Sequence, residues 1–445
     1  MIKNLHEIRD PIHVFVRLDS HERLVLNSRP FQRLRQVHQL ALTYLVYPGA
    51  SHKRFEHSLG VMELAGRVFD VATASDNLDQ GVREMLPAVR NADEKAYWHR
   101  VLRMAALCHD VGHLPFSHAA ESQLLPDGWD HERLTAELIL TDEMKAIWKK
   151  MKPPLDPEDI VKLAVGPKKA KQYKFSPWEL LLSEMITGDA FGSDRIDYLL
   201  RDSHHIGVAY GRFDHFRLVD TLRILKCPPS DDTAAGGPPA LALGVDQGGI
   251  QSAEALLLAR YLMYSQVYFH HVRRIYDIHL QDFLGEWLEG GKFSTDLNKH
   301  LSLTDNEVNV ALLEAAFDAS KPGHVHAKRI LCRQHFHLLY QRNPEDIKLN
   351  PDAALAVFEA AKSKFGEDSV RFDRYVQKSG PPDFPVLLRD GSTCSSLSLS
   401  QALANIPVVS VDFVFVDPEK LDDAYTWLKT DRKNVIAPKG EEPNE

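Results

Sequence analysis

Cysteine is scarce in this chain: four residues in 445 (Cys108, Cys227, Cys332, Cys394), with no CxxC pair. That excludes a disulfide-framed secreted scaffold and a zinc ribbon, and reads as reduced thiols. No run of about 18 apolar residues occurs, so no transmembrane segment is expected. The N-terminal stretch MIKNLHEIRDPIH is polar and lacks the apolar core of a signal peptide, which makes the cytoplasm the expected location. Excess positive charge is missing too. Against 62 Asp and Glu stand 53 Lys and Arg, a net charge of −9, which argues against a protein that coats nucleic acid but leaves room for local basic pockets. No internal repeat is visible at periods of about 20–50 residues.

What the sequence does have is histidine: 22 residues, dispersed rather than in a tract. Most must be structural or on the surface; a few suffice for a metal site. Helical periodicity dominates from about Pro30 to Leu280, in FQRLRQVHQLALTYLV, HSLGVMELAGRVFDVA, RVLRMAALCHDVG and SPWELLLSEMI. IHVFVRL alternates, and predicts a strand or hairpin before the first helix. LALGVDQ predicts a strand, and a long helix is expected from Ile250 through ARYLMYSQVYFHHVRRIYDIHL. Further on, NEVNVALLEAAF, KRILCRQHFHLLY and DAALAVFEAAKSKF predict helices, VSVDFVFVDP a strand, and KLDDAYTWLK a closing helix. The expected fold is mainly α: a helical core over residues 1–305, then a smaller α+β region over 306–434. Residues 227–239 (CPPSDDTAAGGPP) have the composition of a flexible insertion, and 435–445 of a frayed tail. The basic stretch KLAVGPKKAKQY is either a solvated loop or a phosphate contact.

The chemistry-bearing residues are His57 in RFEHSLG, the adjacent pair His109-Asp110 in ALCHDVGH, Asp194 in GSDRIDYLLRD, and His113, His118 and His131. An HD dipeptide alone proves little in a histidine-rich chain. Its context says more, because Asp110 ends an apolar helical pattern where an unpaired carboxylate is costly to bury. A metal is one natural partner for a buried His and carboxylate. Two imidazoles with two carboxylates suit Fe, Mn, Co, Ni or Zn, whereas Mg²⁺ alone prefers oxygen ligands. Phosphate ester hydrolysis also needs positive charge on the phosphate oxygens and an acid for the leaving group. Arg54 lies one helical turn before His57 if the helix starts early enough. His113 follows His109 by four residues, on one face of a continuing helix if Gly112 and Pro115 allow it. Histidine titrates near neutrality and is the natural proton donor.

The phrases IRDPIH, FQRLRQVHQL, YPGASHKRFEHSLGV, CHDVGHLPFSH and DYLLRDSHHIGV, in this order, resemble the HD-domain deoxynucleoside triphosphate triphosphohydrolase family. The resemblance is dense from about Ile8 to Asp220 and thinner to about Asp277, and the SAM domain that some members carry is expected to be absent. It implies four metal ligands, His57, His109, Asp110 and Asp194, and cleavage of a deoxynucleoside triphosphate to deoxynucleoside and tripolyphosphate. It casts His118 as proton donor, with His113 and His131 close by. Arg54, Arg195, Tyr198, Asp202, Arg260 and Tyr268 match positions that contact phosphates and sugar, and Gln39 and Leu40 positions that line sugar and base. Asp202 would bond the 3′-hydroxyl, and Tyr268 would leave no space for a 2′-hydroxyl. Arg195 stands where many relatives have Lys, and Tyr264 where the pattern has His. Arg33 and Arg35 match basic residues of a second, activating nucleotide site, where Asn27 replaces a carboxylate that reads guanine. A homo-oligomer, dimer or tetramer, is implied as well, and Mg²⁺ would accompany the substrate phosphates. Plainer readings stay open: Arg33 and Arg35 as solvated helix charges, Tyr264 and Tyr268 as a core stripe, His204-His205 and His270-His271 as structural. Two other functions compete, a phosphohydrolase acting on other nucleotides or DNA ends, and a nucleotide-sensing or nucleic-acid-binding module.

Overall fold

The N-terminal alternation becomes an antiparallel hairpin, β1 (Leu5–Asp10) against β2 (Val14–Asp19), with Asp10 opposite Val14. One Asp10 oxygen accepts the backbone N–H of Ile12 and of His13, both at 2.8 Å, and so closes the turn. This computed structural model describes residues 5–227, 240–376 and 380–437. The expected insertion at 227–239 and tail at 435–445 lie, from 228 and from 438 onward, outside the described residues, as do the side chains of His118, Ala120 and Ser122. No helix among the described residues is long and apolar enough to cross a membrane.

The chain divides into two units, the first built from residues 1–263, 292–308 and 381–407, the second from 264–291, 309–380 and 408–445. At the centre of the first is α1 (Arg54–Ala72), which is buried along most of its length. It packs against α2 (Ala92–Cys108), whose first turn is capped by the Asn91 side chain. Next come α3 (His118–Leu124) and α4 (His131–Ile139), the latter capped by Asp130. α5 (Pro157–Val165) and α6 (Pro177–Thr187) follow, and Ser176 with Glu179 makes a reciprocal cap on α6. α7 (Ser193–Ile206) stops at Gly207, which takes the left-handed conformation that ends helices cleanly. α1 and α7 approach closely because Gly60 has no side chain: a Cβ there would sit 2.0 Å from Asp197 Oδ1. A small sheet joins β3 (Leu222–Lys226), β4 (Leu241–Asp246), β7 (Pro385–Leu387) and β8 (Thr393–Ser395) in that order. α8 (Ile250–Met263) completes the principal helices of this unit.

The second unit opens with a π-turn at Tyr264–Tyr268 and then α9 (His271–Trp287). The long helix expected from Ile250 is therefore two helices, broken between Tyr264 and His270. α10 (His324–Leu331) is short, and HFHLLY, expected to extend it, forms β5 (His337–Gln341). β5 and β6 (Val370–Val376) flank the central strand β9 (Ser410–Val416) in an antiparallel sheet. Alternation along β9 is complete. Val414 and Val416 pack with α11 (Ala353–Phe365) and α12 (Leu421–Ile436), while Phe413 and Phe415 pack with Ile275 and Phe336. Both faces of the strand are thus buried.

FQRLRQVHQLALTYLV, expected as helix, is instead the short helix Arg29–Arg33 followed by 3₁₀ turns at Leu34–Gln36 and Ala41–Leu45. Buried backbone bonds override its periodicity: Gln39 N–H donates to His52 O at 3.0 Å, and Arg54 N–H to Val37 O at 3.0 Å.

Candidate metal centre

Helix α1 begins at Arg54, so Arg54 and His57 share its first turn. Helix α2 ends at Cys108, and His109 and Asp110 lie in the turn that follows. The helix does not continue to His113, because the chain turns at residues 109–112. A Cβ at Gly112 would fall 2.3 Å from His131 O and 2.4 Å from Thr135 N, so α4 lies directly on that turn. Asp194 sits in the first turn of α7.

These elements bring His57, His109 and Asp194 together: one ligand-capable atom from each lies within 4.8 Å of the others. His57 Nε2 is 3.0 Å and His109 Nε2 3.6 Å from Asp194 Oδ1. Both rings are oriented from behind. His57 Nδ1 is bonded to Asp197 Oδ2 at 2.8 Å, and His109 Nδ1 to the Ala106 carbonyl at 2.8 Å. His57 Nε2 donates to Asp194 Oδ1, a proton that a bound ion would replace, whereas His109 Nε2 is buried there with no hydrogen-bond partner. Tautomers fixed from outside in this way suit metal ligation. Asp110 lies at the edge, with Oδ1 3.3 Å from His109 Nε2 and 3.2 Å from His113 Nε2. Its Oδ2 accepts from the Arg54 guanidinium.

Carboxylates and imidazoles shift one another strongly at the centre. Burial disfavours a charged ring at His57, yet hydrogen bonds to Asp194 and Asp197 overcome it and hold the imidazole up at about 10. Burial works to raise Asp194, but the facing His109 and His57 hold it well below the ordinary carboxylate range. Asp194 is also the member with solvent access, its side chain 33% exposed against 1% for His57.

Beside the centre, the rings of His113 and His131 stack at 4.0 Å. Burial and the nearby Arg54 push His113 well down, so it is neutral. Burial acts the same way on His131, but Glu121, 2.6 Å from Nδ1, raises it. Adjacent imidazoles driven apart in this way divide proton-poor from proton-rich roles. The loop leading to α3 is strained: Phe116 and Ser117 adopt φ of 54° and 55°, a left-handed conformation costly for non-glycine residues. Asp305 anchors it by accepting Phe116 N–H at 2.8 Å, and Ser117 Oγ takes Arg54 Nε–H at 2.7 Å.

Of the remaining expected residues, Asp202 is buried and accepts His52 Nε2–H at 2.8 Å. Gln39 Oε1 is buried without a partner, and Leu40 is buried. Arg195 donates to Gly188 O at 3.1 Å, one turn-length from Tyr198 on α7. Arg260 lies on α8. Tyr264 and Tyr268 belong to the second unit, where their rings meet edge-on at 5.0 Å. Arg33 is buried and donates to Leu303 O at 2.9 Å and His113 O at 2.7 Å, whereas Arg35 is exposed over the Phe55 ring and Asn27 is exposed at a helix end. Asp197, His13, Arg201 and Asp305 carry structural roles that sequence reasoning missed. Asp197 had a signal, three residues after Asp194 in SDRID and thus one turn along the same helix.

A further cluster, His279, Asp282 and His326, lies in the second unit. There the Phe336 N–H donates to His279 Nε2 at 3.3 Å, which leaves the proton on Nδ1 and makes that atom a donor, not a ligand.

Comparison with known proteins fits this geometry. Residues 54–199 match the HD domain, and 213–359 the HD associated region. The uncharacterized protein YwfO of Bacillus subtilis is 35% identical over 281 residues, 62% of this chain and 54% of that protein. The uncharacterized protein MJ1154 of Methanocaldococcus jannaschii is also 35% identical, over 47% of its length, so the chain spans about half of each of these curated relatives. The deoxynucleoside triphosphate triphosphohydrolase SAMHD1 of Gallus gallus is 26% identical over 96% of this chain and 67% of its own. A crystal structure of a hypothetical protein from Aquifex aeolicus superposes with a TM-score of 0.74 at 32% identity, covering 95% of this chain and 100% of that one. The chain carries an HD domain followed by an HD associated region, and is homologous to SAMHD1.

Proposed function

We propose that this protein hydrolyses deoxynucleoside triphosphates to deoxynucleoside and tripolyphosphate in a metal-dependent reaction. The observation that carries the reading is the convergence of His57, His109 and Asp194, with His109 Nε2 buried and unpartnered at the centre. The donor set fits Fe, Mn, Co, Ni or Zn, with Asp110 as fourth ligand, and Mg²⁺ would accompany the substrate phosphates. Such an ion, when bound, polarises a phosphoryl oxygen and lowers the pKa of water.

The chain's own residues supply the rest. Arg54, fixed beside Asp110, offers positive charge to the phosphate oxygens, with Arg195, Tyr198 and Arg260 as further contacts. His118 begins α3 and is the proposed proton donor to the leaving oxygen, supported by His113, which burial and Arg54 push down, and His131, which Glu121 raises. Asp202, oriented by His52, would accept the 3′-hydroxyl, and Tyr268 would exclude a 2′-hydroxyl. Gln39, Leu40 and Tyr264 would line the base and sugar. Homology to SAMHD1 supports the substrate class. A nucleotide activator at Asn27, Arg33 and Arg35, and a dimer or tetramer, belong to the same proposal.

Product analysis tests it. Purified protein with Mn²⁺ is given each deoxynucleoside triphosphate alone, all four together, and ribonucleotides in parallel. Deoxynucleoside plus tripolyphosphate is the expected outcome. Release of monophosphate or orthophosphate, or activity on ribonucleotides alone, would transfer the site to another HD phosphohydrolase reaction.

A further inference from the structure

We infer that the N-terminal hairpin sets the metal affinity of the centre, through a buried chain of side chains running from His13 through Asp197 to the His57 ring. The inference rests on the metal reading above. Asp197 is fully buried and has one oxygen for each neighbour: Oδ2 accepts His57 Nδ1–H at 2.8 Å, and Oδ1 accepts His13 Nε2–H at 2.7 Å. Arg201, also fully buried, donates to those same oxygens at 2.8 and 2.9 Å and balances their charge. Its remaining nitrogen donates to Asp10 Oδ2 at 2.8 Å. The other Asp10 oxygen holds the backbone N–H of His13. The network is therefore a closed ring: Asp10 fixes the backbone of His13, and through Arg201 it fixes the carboxylate that the His13 ring engages.

Two backbone features follow from this ring. Val14, next to His13, has φ of 66°, a conformation that β-branched residues rarely adopt. A turn serving only to reverse the chain has no need of that strain; a turn that must aim His13 inward does. Gly60 is the second feature, since any side chain there would strike Asp197 and Arg201.

The consequence for the centre is chemical. An imidazole whose Nδ1–H is pinned on an immobile carboxylate keeps its Nε2 lone pair aimed at the ion and is a better donor. Losing such an outer partner weakens metal binding about ten- to a hundredfold. Asp197 touches no reacting atom in this scheme, and His13 is one step further out; both are positioning residues.

The test is Mn²⁺ affinity of the full chain, read by electron paramagnetic resonance of free Mn²⁺, with thermal unfolding of metal-free protein as a separate readout. Asp197→Asn offers one acceptor oxygen to four donors and is expected to weaken Mn²⁺ binding about ten- to a hundredfold. His13→Ala should weaken it less, and His13→Gln, whose amide can still donate to Oδ1, should recover most of that loss. Folded Asp197→Asn and His13→Ala proteins with wild-type Mn²⁺ affinity would overturn the inference. So would His13→Gln behaving like His13→Ala, the comparison that decides if Asp197→Asn does not fold. Wild-type protein that binds no Mn²⁺ would instead remove the metal reading beneath it.

Discussion

Arg54 and Asp110 form a buried ion pair, both residues at most 5% exposed, in which the guanidinium donates to the carboxylate oxygen turned away from His109. Asp110 is thus compensated by Arg54 at Oδ2, while its Oδ1 lies between His109 and His113. Removing one partner of such a pair strands the other charge, at a cost of about 3–5 kcal/mol. Arg54→Ala should therefore destabilise metal-free protein strongly. Mn²⁺ restores a counter-charge to Asp110, so its addition should raise the unfolding temperature more in the variant than in wild type. Equal gains in the two proteins would show that Asp110 does not face the ion.

Gly112→Ala tests the contact between the HD turn and α4. The new methyl group meets backbone atoms of His131 and Thr135, which cannot rotate away. Overpacking of this kind costs about 1–3 kcal/mol. It would also displace His131 from its stack on His113, so activity should fall further than stability does. Denaturant unfolding and steady-state kinetics on the same preparation separate the two; unchanged kcat in a folded variant would detach the His113–His131 pair from catalysis.

Asp305 holds two segments of the site region at once, accepting His38 N–H at 2.7 Å, His38 Nδ1–H at 2.6 Å and Phe116 N–H at 2.8 Å. Asp305→Asn keeps the shape but turns an NH₂ toward one of these donors. A loss of about 1–3 kcal/mol is expected. The strained Phe116-Ser117 turn would relax with it, visible as faster amide hydrogen exchange across residues 114–118. Exchange unchanged there would mean the strain is held by Arg54 alone.

Glu184 gives a pH signature. Burial pushes its carboxyl up to about 7, against an ordinary 4.5, although the Leu243 N–H opposes the rise. A group raised on folding contributes fully below its unfolded value and loses that contribution as pH climbs through the folded one. Stability from this site should therefore decline between about pH 5 and about pH 8. Glu184→Gln keeps an acceptor for Leu243 and cannot ionise. Because the side chain retains some solvent contact, the variant should gain only about 1–2 kcal/mol at the alkaline end and nothing at the acid end. Parallel pH profiles of the two proteins would count against this assignment.

The HD domain and the residues that converge at the candidate centre were legible because they sit in contiguous phrases, RFEHSLG, CHDVGH and SDRID. Strand β9 was legible because both of its faces are buried by alternating Val and Phe. What sequence could not show depends on distant partners. Arg33 reads like any helix charge until residue 303 arrives to take its N–H. His13 lies 184 residues from Asp197, and nothing local marks it as more than a turn residue. HFHLLY carries a helical pattern, yet backbone pairing with β9 decides its state. The long helix after Ile250 fails at a π-turn, which periodicity cannot anticipate.

The four-stranded sheet of the first unit takes β3 and β4 from before residue 250 but β7 and β8 from beyond residue 380. During synthesis β4 must wait for more than a hundred later residues before its parallel neighbour exists. Until then it presents an unpaired edge to whatever else is in solution. A gene fragment ending soon after β4 would carry that edge permanently, and sticky, misassembled protein is the outcome to plan for when such fragments are expressed.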